Sequence, residues 1–298
     1  MCPDSMVIAL GGNALDSDSG SPDLSSLKRA RRHLSRQVER GLVITHGNGP
    51  QIGMLAQAGR EDPNLSLDVM GAEVEGWLGY LVEQELGNLL NDHRAVVSLL
   101  TRVEVDGSDE AFDTPSKPIG QWLSAATARQ LQHRYGWTFV EENSRFRRLV
   151  PSPVPRNILQ DDAIRQLLAN RFVVVCAGGG GIPVVRRPDN TLEGVEAVID
   201  KDLASSLLAV QLQAGMLILA TNVDGVYQNW QCGNQHLISS ISADGLRSLD
   251  LPAGSMGPKA EAACHFVDAT GGTAIIGNFD ALSQLMEQQA GTRVTPGG

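Results

Sequence analysis

Lysine is scarce in this chain of 298 residues. Of its 24 basic residues 20 are Arg, and the only four lysines are Lys28, Lys117, Lys201 and Lys259. Lysine is normally among the commonest residues, so the few that remain are candidates for a role that Arg cannot fill. An ammonium is a compact point charge that fits among several phosphate oxygens, whereas the larger guanidinium favours two parallel hydrogen bonds. Lys28 has the context of a helix-surface charge, and the other three lie in contexts rich in Gly, Pro or Asp that indicate function.

Other shortages exclude whole classes of function. Acidic residues outnumber basic ones by 34 to 24, and no basic stripe is interleaved with aromatic residues, so we expect no nucleic acid partner. The four cysteines are far apart and form no CxxC pair, which indicates neither a zinc site nor a disulfide framework and favours a reducing compartment. No apolar run reaches the roughly 18 residues that span a bilayer, and the first residues do not resemble a signal peptide. We therefore expect a cytoplasmic protein with no membrane partner.

What the chain does contain is a recurring pattern of short apolar runs that end in glycine-rich loops. Runs of this kind, followed by helical patterns, are typical of a parallel sheet in an α/β protein. Helices are predicted over 24–39, within 67–82 and over 281–289. The predicted strands are 7–10, 42–45, 95–100, 172–176, 216–220 and 273–276.

Residues 101–150 interrupt this pattern with an acidic segment, a helical segment and an extended stretch rich in Arg and Glu. The following PSPVP at 151–155 forces extended backbone and closes the segment. We interpret 101–150 as a flap inserted into a single domain spanning 1–298. The two halves of that domain are about 1–155 and about 156–298.

Four glycine-containing loops, GGNA, HGNG, GGGG and TNVDG, are predicted to follow strands and precede helices. In open parallel sheets, ligands bind beyond the carboxyl ends of the strands, where helix N-termini present free N–H groups and a positive dipole. Glycine lets these N–H groups approach an anion closely. Each loop alone is as often just a tight turn, but together they favour a phosphate site. The chain has neither GxxxxGK[ST] nor a well-placed GxGxxG, so it is not a P-loop enzyme or a standard dinucleotide binder.

Two of the lysines are predicted to lie at helix starts. Lys201 stands between Asp200 and Asp202, where an Asp can cap the helix and leave Lys201 in solvent, or Asp202 can orient Lys201 toward a phosphoryl group. Lys259 in GSMGPK opposes the helix dipole in the first turn, a cost that disappears if a phosphate binds there. Asp224 in TNVDG can cap its turn or orient a lysine. The context of His46 favours a hydrogen-bonding role over that of a base.

The chain resembles the carbamate kinases along essentially its whole length. The similar segments are IALGGNAL, ITHGNGPQIG, FDTPSKPIG, VVVCAGGGGIPVV, GVEAVIDKDLAS, ATNVDGVY and GSMGPKAEA, in this order. KPIG within a flap, together with IDKDxAS and GSMGPK, distinguishes carbamate kinases from their relatives. The resemblance implies the amino-acid-kinase fold, a three-layer α/β/α sandwich around a mostly parallel sheet, in a homodimer. It also implies the reaction ATP + carbamate ⇌ ADP + carbamoyl phosphate, with Mg²⁺.

The resemblance implies roles for individual residues. Catalysis would fall to Lys117, Lys201, Lys259 and Asp202. The nucleotide would lie in the C-terminal half near Asp224, Tyr227, Met256 and Lys259, and no residue is assigned as a metal ligand. The N-terminal half would hold carbamate, and GGGG would face it, so that the substrate-binding residues are Gly11, Gly12, Asn13, Gly47, Asn48, Gly49, Gly178, Gly179, Gly180 and Gly181.

Some positions depart from the family pattern. Asn222 stands where Asp is frequent, Gln160 where an acid is frequent, and Leu251 where an aromatic residue is often found. The segment DSDSGSPDLSS between Leu15 and Leu27 also matches poorly, which leaves the conformation of that loop open.

The chemistry of carbamate accounts for lysines where a base might be expected. Carbamate is already an anion, so charge neutralisation and in-line positioning must supply the catalysis. Two alternatives stay open. The chain could be another acyl-phosphate-forming kinase of this fold, such as an acetylglutamate-type enzyme, although the KPIG flap argues against it. It could also be a non-catalytic sensor of nucleotide or carbamoyl phosphate, although the retention of all three lysines argues against that.

Overall fold

The computed structural model describes residues 4–11, 25–58, 65–90, 95–230, 234–252 and 254–297. Its helices are α1 Ser25–Arg29, α2 Arg31–Val38, α3 Gly49–Ala58, α4 Leu67–Leu90, α5 Ala125–Tyr135, α6 Asp161–Ala169, α7 Lys201–Leu212, α8 Ala243–Arg247, α9 Met256–Thr270 and α10 Leu282–Met286. Its strands are β1 Met6–Leu10, β2 Leu42–His46, β3 Val96–Leu99, β4 Arg102–Val105, β5 Lys117–Leu123, β6 Thr138–Glu142, β7 Arg145–Val150, β8 Pro155–Ile158, β9 Val173–Cys176, β10 Ile182–Arg186, β11 Leu192–Gly194, β12 Met216–Thr221, β13 Tyr227–Gln228, β14 His236–Leu237, β15 Ser240–Ser242, β16 Thr273–Asn278 and β17 Thr292–Thr295.

Eight strands form the central sheet, in the spatial order β15-β17-β16-β12-β1-β2-β9-β3. The six strands from β16 to β3 are mutually parallel, and β17 runs antiparallel to β16. The register places Ile8 of β1 between Ile44 of β2 and Ile218 of β12. These strands are continuous apolar runs because the sheet is buried on both faces. The predicted mostly parallel sheet is confirmed.

Helices cover both faces of this sheet. Alternate residues of β1 point to opposite faces, so Val7 packs into one apolar cluster with α6, α7 and α9, and Ile8 packs into another with α2, α4 and α10. The result is the three-layer α/β/α sandwich that the family resemblance implied. None of the helices in the described ranges is both long enough and apolar enough to cross a bilayer.

The segment 101–150 divides into two parts. Strand β4 belongs to a second sheet of order β11-β10-β4-β8, whereas β5, β7 and β6 form a separate antiparallel sheet with α5 packed against it. The flap therefore consists of residues 117–150. The extended stretch predicted at 138–150 is a hairpin, which turns at Asn143 and Ser144, both with positive φ.

The flap is attached to the body through a small apolar cluster and one close backbone contact. Ile119 and Val150 of the flap share this cluster with Ile52 of α3 and Val74 of α4. A Cβ on Gly53 of α3 would lie only 1.8 Å from the Cα of Gly120. Strand β5 thus rests directly on the backbone of the helix that follows HGNG.

Three sequence expectations about local structure were wrong. The GGGG loop leads through a short 3₁₀ turn into β10, and TNVDG leads into β13, so neither loop precedes a helix. The helix expected over 24–39 breaks at Ala30 into α1 and α2. The helix expected over 281–289 spans only Leu282–Met286, preceded by the 3₁₀ turn Phe279–Ala281.

Candidate active site

A cavity of about 360 Å³ opens beyond the carboxyl ends of the central parallel strands. It is reached by loops that follow β1, β2, β9 and β12, as expected where parallel strands end at one edge of a sheet. The flap contributes residues 117–119, and the starts of α7 and α9 supply the rest of its polar lining. The lining residues used below are Gly11, Gly47, Asn48, Gly49, Lys117, Gly179, Asp200, Lys201, Asp202, Asn222, Tyr227, Trp230, Leu251, Met256 and Lys259.

Lys201 and Lys259 share the carboxylate of Asp202. Lys201 Nζ lies 2.5 Å from Asp202 Oδ1, and Lys259 Nζ lies 3.1 Å from Asp202 Oδ2. The Asp202 side chain is only 4% exposed, and the two lysines are 12% and 14% exposed. Burial lowers the pKa of Lys201, the Asp202 carboxylate opposes that shift, and the charge on Lys259 adds to it. Asp202 therefore pairs with two half-buried lysines beside the cavity.

Lys117 pairs with Asp200, the residue that caps α7. Asp200 Oδ1 accepts from the N–H groups of Asp202 and Leu203 at 2.9 and 3.3 Å, and Oδ2 accepts from Lys117 Nζ at 2.8 Å. Burial alone would raise the pKa of Asp200, but the ammonium groups of Lys117 and Lys201 hold it at about 2. The helix-cap interpretation of Asp200 is correct, and the same carboxylate holds the flap lysine at the cavity. Sequence reasoning did not include Asp200 among the site residues.

On the proposed substrate side, Gly11, Gly47, Asn48 and Gly49 line the cavity. Gly49 is the first residue of α3, so the cavity meets the positive end of that helix dipole. Gly12 and Asn13 lie outside the described residues.

The GGGG loop faces the cavity through one of its four glycines. Gly179 lines the cavity, and a Cβ at that position would lie 1.8 Å from Asn48 Nδ2. Gly178, Gly180 and Gly181 pack instead against protein: a Cβ on each would meet, in turn, the His46 ring, the Ile199 carbonyl oxygen and the Val103 side chain within 2.5 Å. For these three, close packing accounts for glycine.

His46 is buried beneath this loop and is neutral. Burial lowers its pKa to about 4, and the charge on Lys201 adds to that shift. Its Nδ1 lies 3.1 Å from the Gly47 carbonyl oxygen, and its buried Nε2 has no hydrogen-bond partner. The geometry agrees with the hydrogen-bonding role predicted from the sequence.

An aromatic pair also lines the cavity. The rings of Tyr227 and Trp230 lie 5.3 Å apart, and Met256 at the start of α9 lines the same region. Sequence reasoning missed Trp230, since a Trp in a loop carries no spacing signal. Asp224 does not line the cavity; it accepts from Asn278 Nδ2 at 3.2 Å and from the Tyr227 hydroxyl at 3.3 Å.

The three departures from the family pattern have different surroundings. Asn222 and Leu251 line the cavity. Gln160 lies away from it, before α6, and its Oε1 accepts from the Arg102 N–H at 2.7 Å. An acid at that position has the same acceptor available, so Gln replaces it without loss of this bond.

Comparison with known proteins shows the family of this chain. The model of the amino acid kinase family matches residues 4–278. A carbamate kinase from Rhizobium meliloti is 43% identical over 97% of this chain and 93% of its own length, and one from Haemophilus influenzae is 42% identical over 97% and 96%. This chain belongs to the carbamate kinases of the amino acid kinase family. A solved carbamate kinase from Giardia lamblia bound to AMP-PNP superposes with a TM-score of 0.86 at 32% identity, with 98% of each chain covered.

Both carboxylates that line this carbamate kinase site, Asp200 and Asp202, form ion pairs with lysines. Among the residues that the structure describes, no cluster of three or more His, Cys, Asp or Glu side chains could hold a metal ion. Both oxygens of Asp202 face ammonium groups, and Asp200 faces Lys117 and two backbone N–H groups. Mg²⁺ is usually held by one or two carboxylates plus substrate phosphates. The described residues therefore fit a magnesium ion carried by the nucleotide better than one held by the protein.

Proposed function

We propose that this kinase transfers a phosphoryl group reversibly between ATP and carbamate, giving ADP and carbamoyl phosphate. The observation that carries the proposal is the meeting of Lys117, Lys201 and Lys259 at one cavity, from the flap and from two helix starts. Three buried or half-buried cations in one cavity suit a strongly anionic ligand. The whole-length similarity to carbamate kinases supports carbamate as the acceptor.

In the proposed complex the two substrates approach from opposite ends of the cavity. Carbamate lies near Gly47, Asn48 and Gly49, and the nucleotide base lies near Tyr227 and Trp230. The γ-phosphoryl group then falls between them, where Lys201 and Lys259 can take up its charge. Lys117 reaches the substrate side from the flap.

The proposed reaction needs no general base. An oxygen of the carbamate anion attacks the γ-phosphorus in line, the bond to the ADP oxygen breaks, and no proton changes place. The side chains suit this mechanism: the two carboxylates among the described lining residues are both in ion pairs with lysines. The obstacle is repulsion between two anions, and fixed ammonium groups reduce it without reorganisation during the reaction. Magnesium enters as part of the MgATP or MgADP substrate.

A coupled assay tests the proposal: ATP formation is followed from ADP and carbamoyl phosphate, with and without Mg²⁺. We expect ATP only when both substrates and magnesium are present. Nucleotide binding without ATP formation would contradict the proposal and favour a sensor. In the reverse direction, phosphorylation of acetylglutamate in preference to carbamate would assign the chain to another acyl-phosphate-forming kinase.

The proposed enzyme acts as a homodimer in the cytoplasm, an assembly and a location that rest on resemblance to the family. Sedimentation equilibrium of the purified protein tests the dimer. A monomer at the protein concentrations of the activity assay would contradict it.

A further inference from the structure

Glu75 is a buried carboxyl group in the middle of α4 that the proposed phosphoryl transfer does not use. The residue is 1% exposed and lies between apolar positions such as Val74 and Leu78 that are equally buried. In the described part of the chain no Lys, Arg or His forms an ion pair with it. A buried carboxyl group without a cation costs stability. Packing of α4 alone therefore does not explain Glu at this position.

The hydrogen bonds of Glu75 connect the segment at Thr101 with the GGGG loop, of which Gly179 lines the cavity. Its Oε1 accepts from the Gly178 N–H at 3.0 Å, and its Oε2 accepts from the Thr101 N–H at 3.1 Å. Thr101 in turn holds the same loop, because its Oγ1 accepts from the Ala177 N–H at 2.9 Å and its carbonyl oxygen accepts from the Ile182 N–H at 2.8 Å. Glu75 and Thr101 together fix the loop 177–182 at both ends.

This loop needs such anchoring because its backbone conformation is unfavourable. Ala177 has φ 50° and ψ 37°, in the left-handed region that is unfavourable for a residue with a Cβ. Gly179, Gly180 and Gly181 all have positive φ as well. Sparsely populated backbone conformations persist only where the surroundings over-determine them. The carboxyl group of Glu75 is one of those determinants.

The anchored loop presents Gly179 to the cavity, against Asn48. Gly178 packs between Glu75 and His46, since a Cβ there would lie 2.5 Å from His46 Nε2 and 3.1 Å from Glu75 Cγ. Displacement of Gly178 would therefore shift Gly179 relative to Asn48 and change the substrate side of the cavity. In the described part of the chain, neither Tyr227 nor Trp230 forms a hydrogen bond with Glu75.

We propose that Glu75 is a positioning residue, which sets the GGGG loop for the acceptor substrate through its hydrogen bonds to Gly178 and Thr101. The assignment of this loop to the acceptor substrate rests on the proposed function. Burial raises the pKa of Glu75 to about 8, against the N–H groups of Thr101 and Gly178, which lower it. Carboxyl groups with a pKa shifted this far by burial occur more often at functional sites than elsewhere.

The chain offers a matched control on the same helix. Glu83, two turns along α4, accepts from the Ser98 N–H at 2.7 Å, so it also binds the backbone of the β3 region. Within the described residues Glu83 forms no hydrogen bond with the GGGG loop. Glu75→Gln and Glu83→Gln therefore each remove from one helix a carboxyl group that accepts a backbone N–H, and the Glu75 group is the one bonded to the GGGG loop.

The test measures kinetics and amide hydrogen exchange in the full-length wild type and in both variants. In Glu75→Gln we expect the KM for carbamoyl phosphate to rise about tenfold with little change in the KM for ADP, because a buried N–H loses its acceptor. We expect exchange at the amides of residues 177–181 to be about tenfold faster in this variant. Glu83→Gln should leave both quantities near the wild-type values.

Three outcomes would overturn the positioning role: equal increases in both KM values, matching behaviour of the two variants, or unchanged exchange in the loop. A wild type that forms no ATP would instead refute the proposed function, and the exchange experiment would still decide the role of Glu75. If Glu75→Gln does not fold, Thr101→Val removes the hydroxyl that accepts from Ala177. The same KM pattern in that variant supports the proposal, and wild-type KM values overturn it.

Discussion

Replacement of Asp202 by Asn is the sharpest test of the charge arrangement. The substitution keeps the shape of the side chain but removes the single negative charge that Lys201 and Lys259 share. Removal of one partner from a buried ion pair lowers the free energy of unfolding by about 3–5 kcal/mol. Removal of one preorganised charge contact raises the activation free energy by about 3–4 kcal/mol. We therefore expect kcat/KM to fall by about 10²–10³-fold near neutral pH.

The pH dependence of this loss gives a second, independent readout. Asp202 raises the pKa of Lys201 against burial and against the charge on Lys259. Without Asp202 that pKa falls further, so Lys201 loses its proton at a lower pH than in the wild type, and the defect should deepen as pH rises above neutral. The measurement is ATP formation from ADP and carbamoyl phosphate as a function of pH.

A matched control is Asp161→Asn, which breaks the ion pair with Arg165 on α6, away from the cavity. We expect the kcat/KM of that variant to stay within about twofold of wild type, because neither residue lines the cavity. An Asp202→Asn enzyme with wild-type turnover would refute the argument. If the activity of Asp202→Asn relative to wild type is the same at every pH, the proposed role of Asp202 in keeping Lys201 protonated is refuted.

Three further predictions follow from the same contacts. Lys201→Arg keeps the formal charge but should lose most activity, because a planar guanidinium cannot occupy the point that the ammonium holds against Asp202; wild-type kcat in that variant would contradict the point-charge argument. Lys117→Ala should raise the KM for carbamoyl phosphate more than that for ADP, and equal increases would remove Lys117 from the substrate side. His46 has a folded pKa of about 4, below the 6.5 of the unfolded chain, so the unfolded state binds more protons below pH 6.5 and stability falls as pH decreases toward 4. Between pH 7 and pH 5, chemical denaturation should show the wild type losing about 2 kcal/mol more than His46→Gln, and parallel losses would mean that His46 is not buried in its neutral form.

The strands and the paired lysines were predictable because the relevant signals are local. A buried parallel strand is a continuous apolar run, so 7–10 was found to within one residue of β1. Lys201 and Asp202 are adjacent at a helix start, and a capping Asp has a known sequence pattern. The pairing of β4 with β8 and β10 was not predictable in the same way, because it joins strands that are distant in the sequence.

Long-range contacts could not be read from the chain. The partner of Lys117 is Asp200, 83 residues away, and nothing in either local sequence indicates the pairing. Glu75 lies in α4 among apolar residues, where an isolated acid suggests a solvent-facing position. Which glycine of GGGG faces the cavity depends on φ and ψ angles that the glycines themselves leave free.

The backbone contact between Gly53 and Gly120 determines the position of Lys117 in an unusual way. Side chains usually set the spacing of packed elements, and they can repack when a neighbour changes. Here the backbones of α3 and β5 are in direct contact with no side chain between them. The distance between the two elements therefore cannot be adjusted by a change of side-chain conformation. A single methyl group at position 53 would lift strand β5 and move Lys117, three residues before Gly120, away from Asp200. The position of Lys117 relative to Asp200 therefore depends on uncharged backbone atoms of Gly53, which lies in the other half of the protein from Asp200.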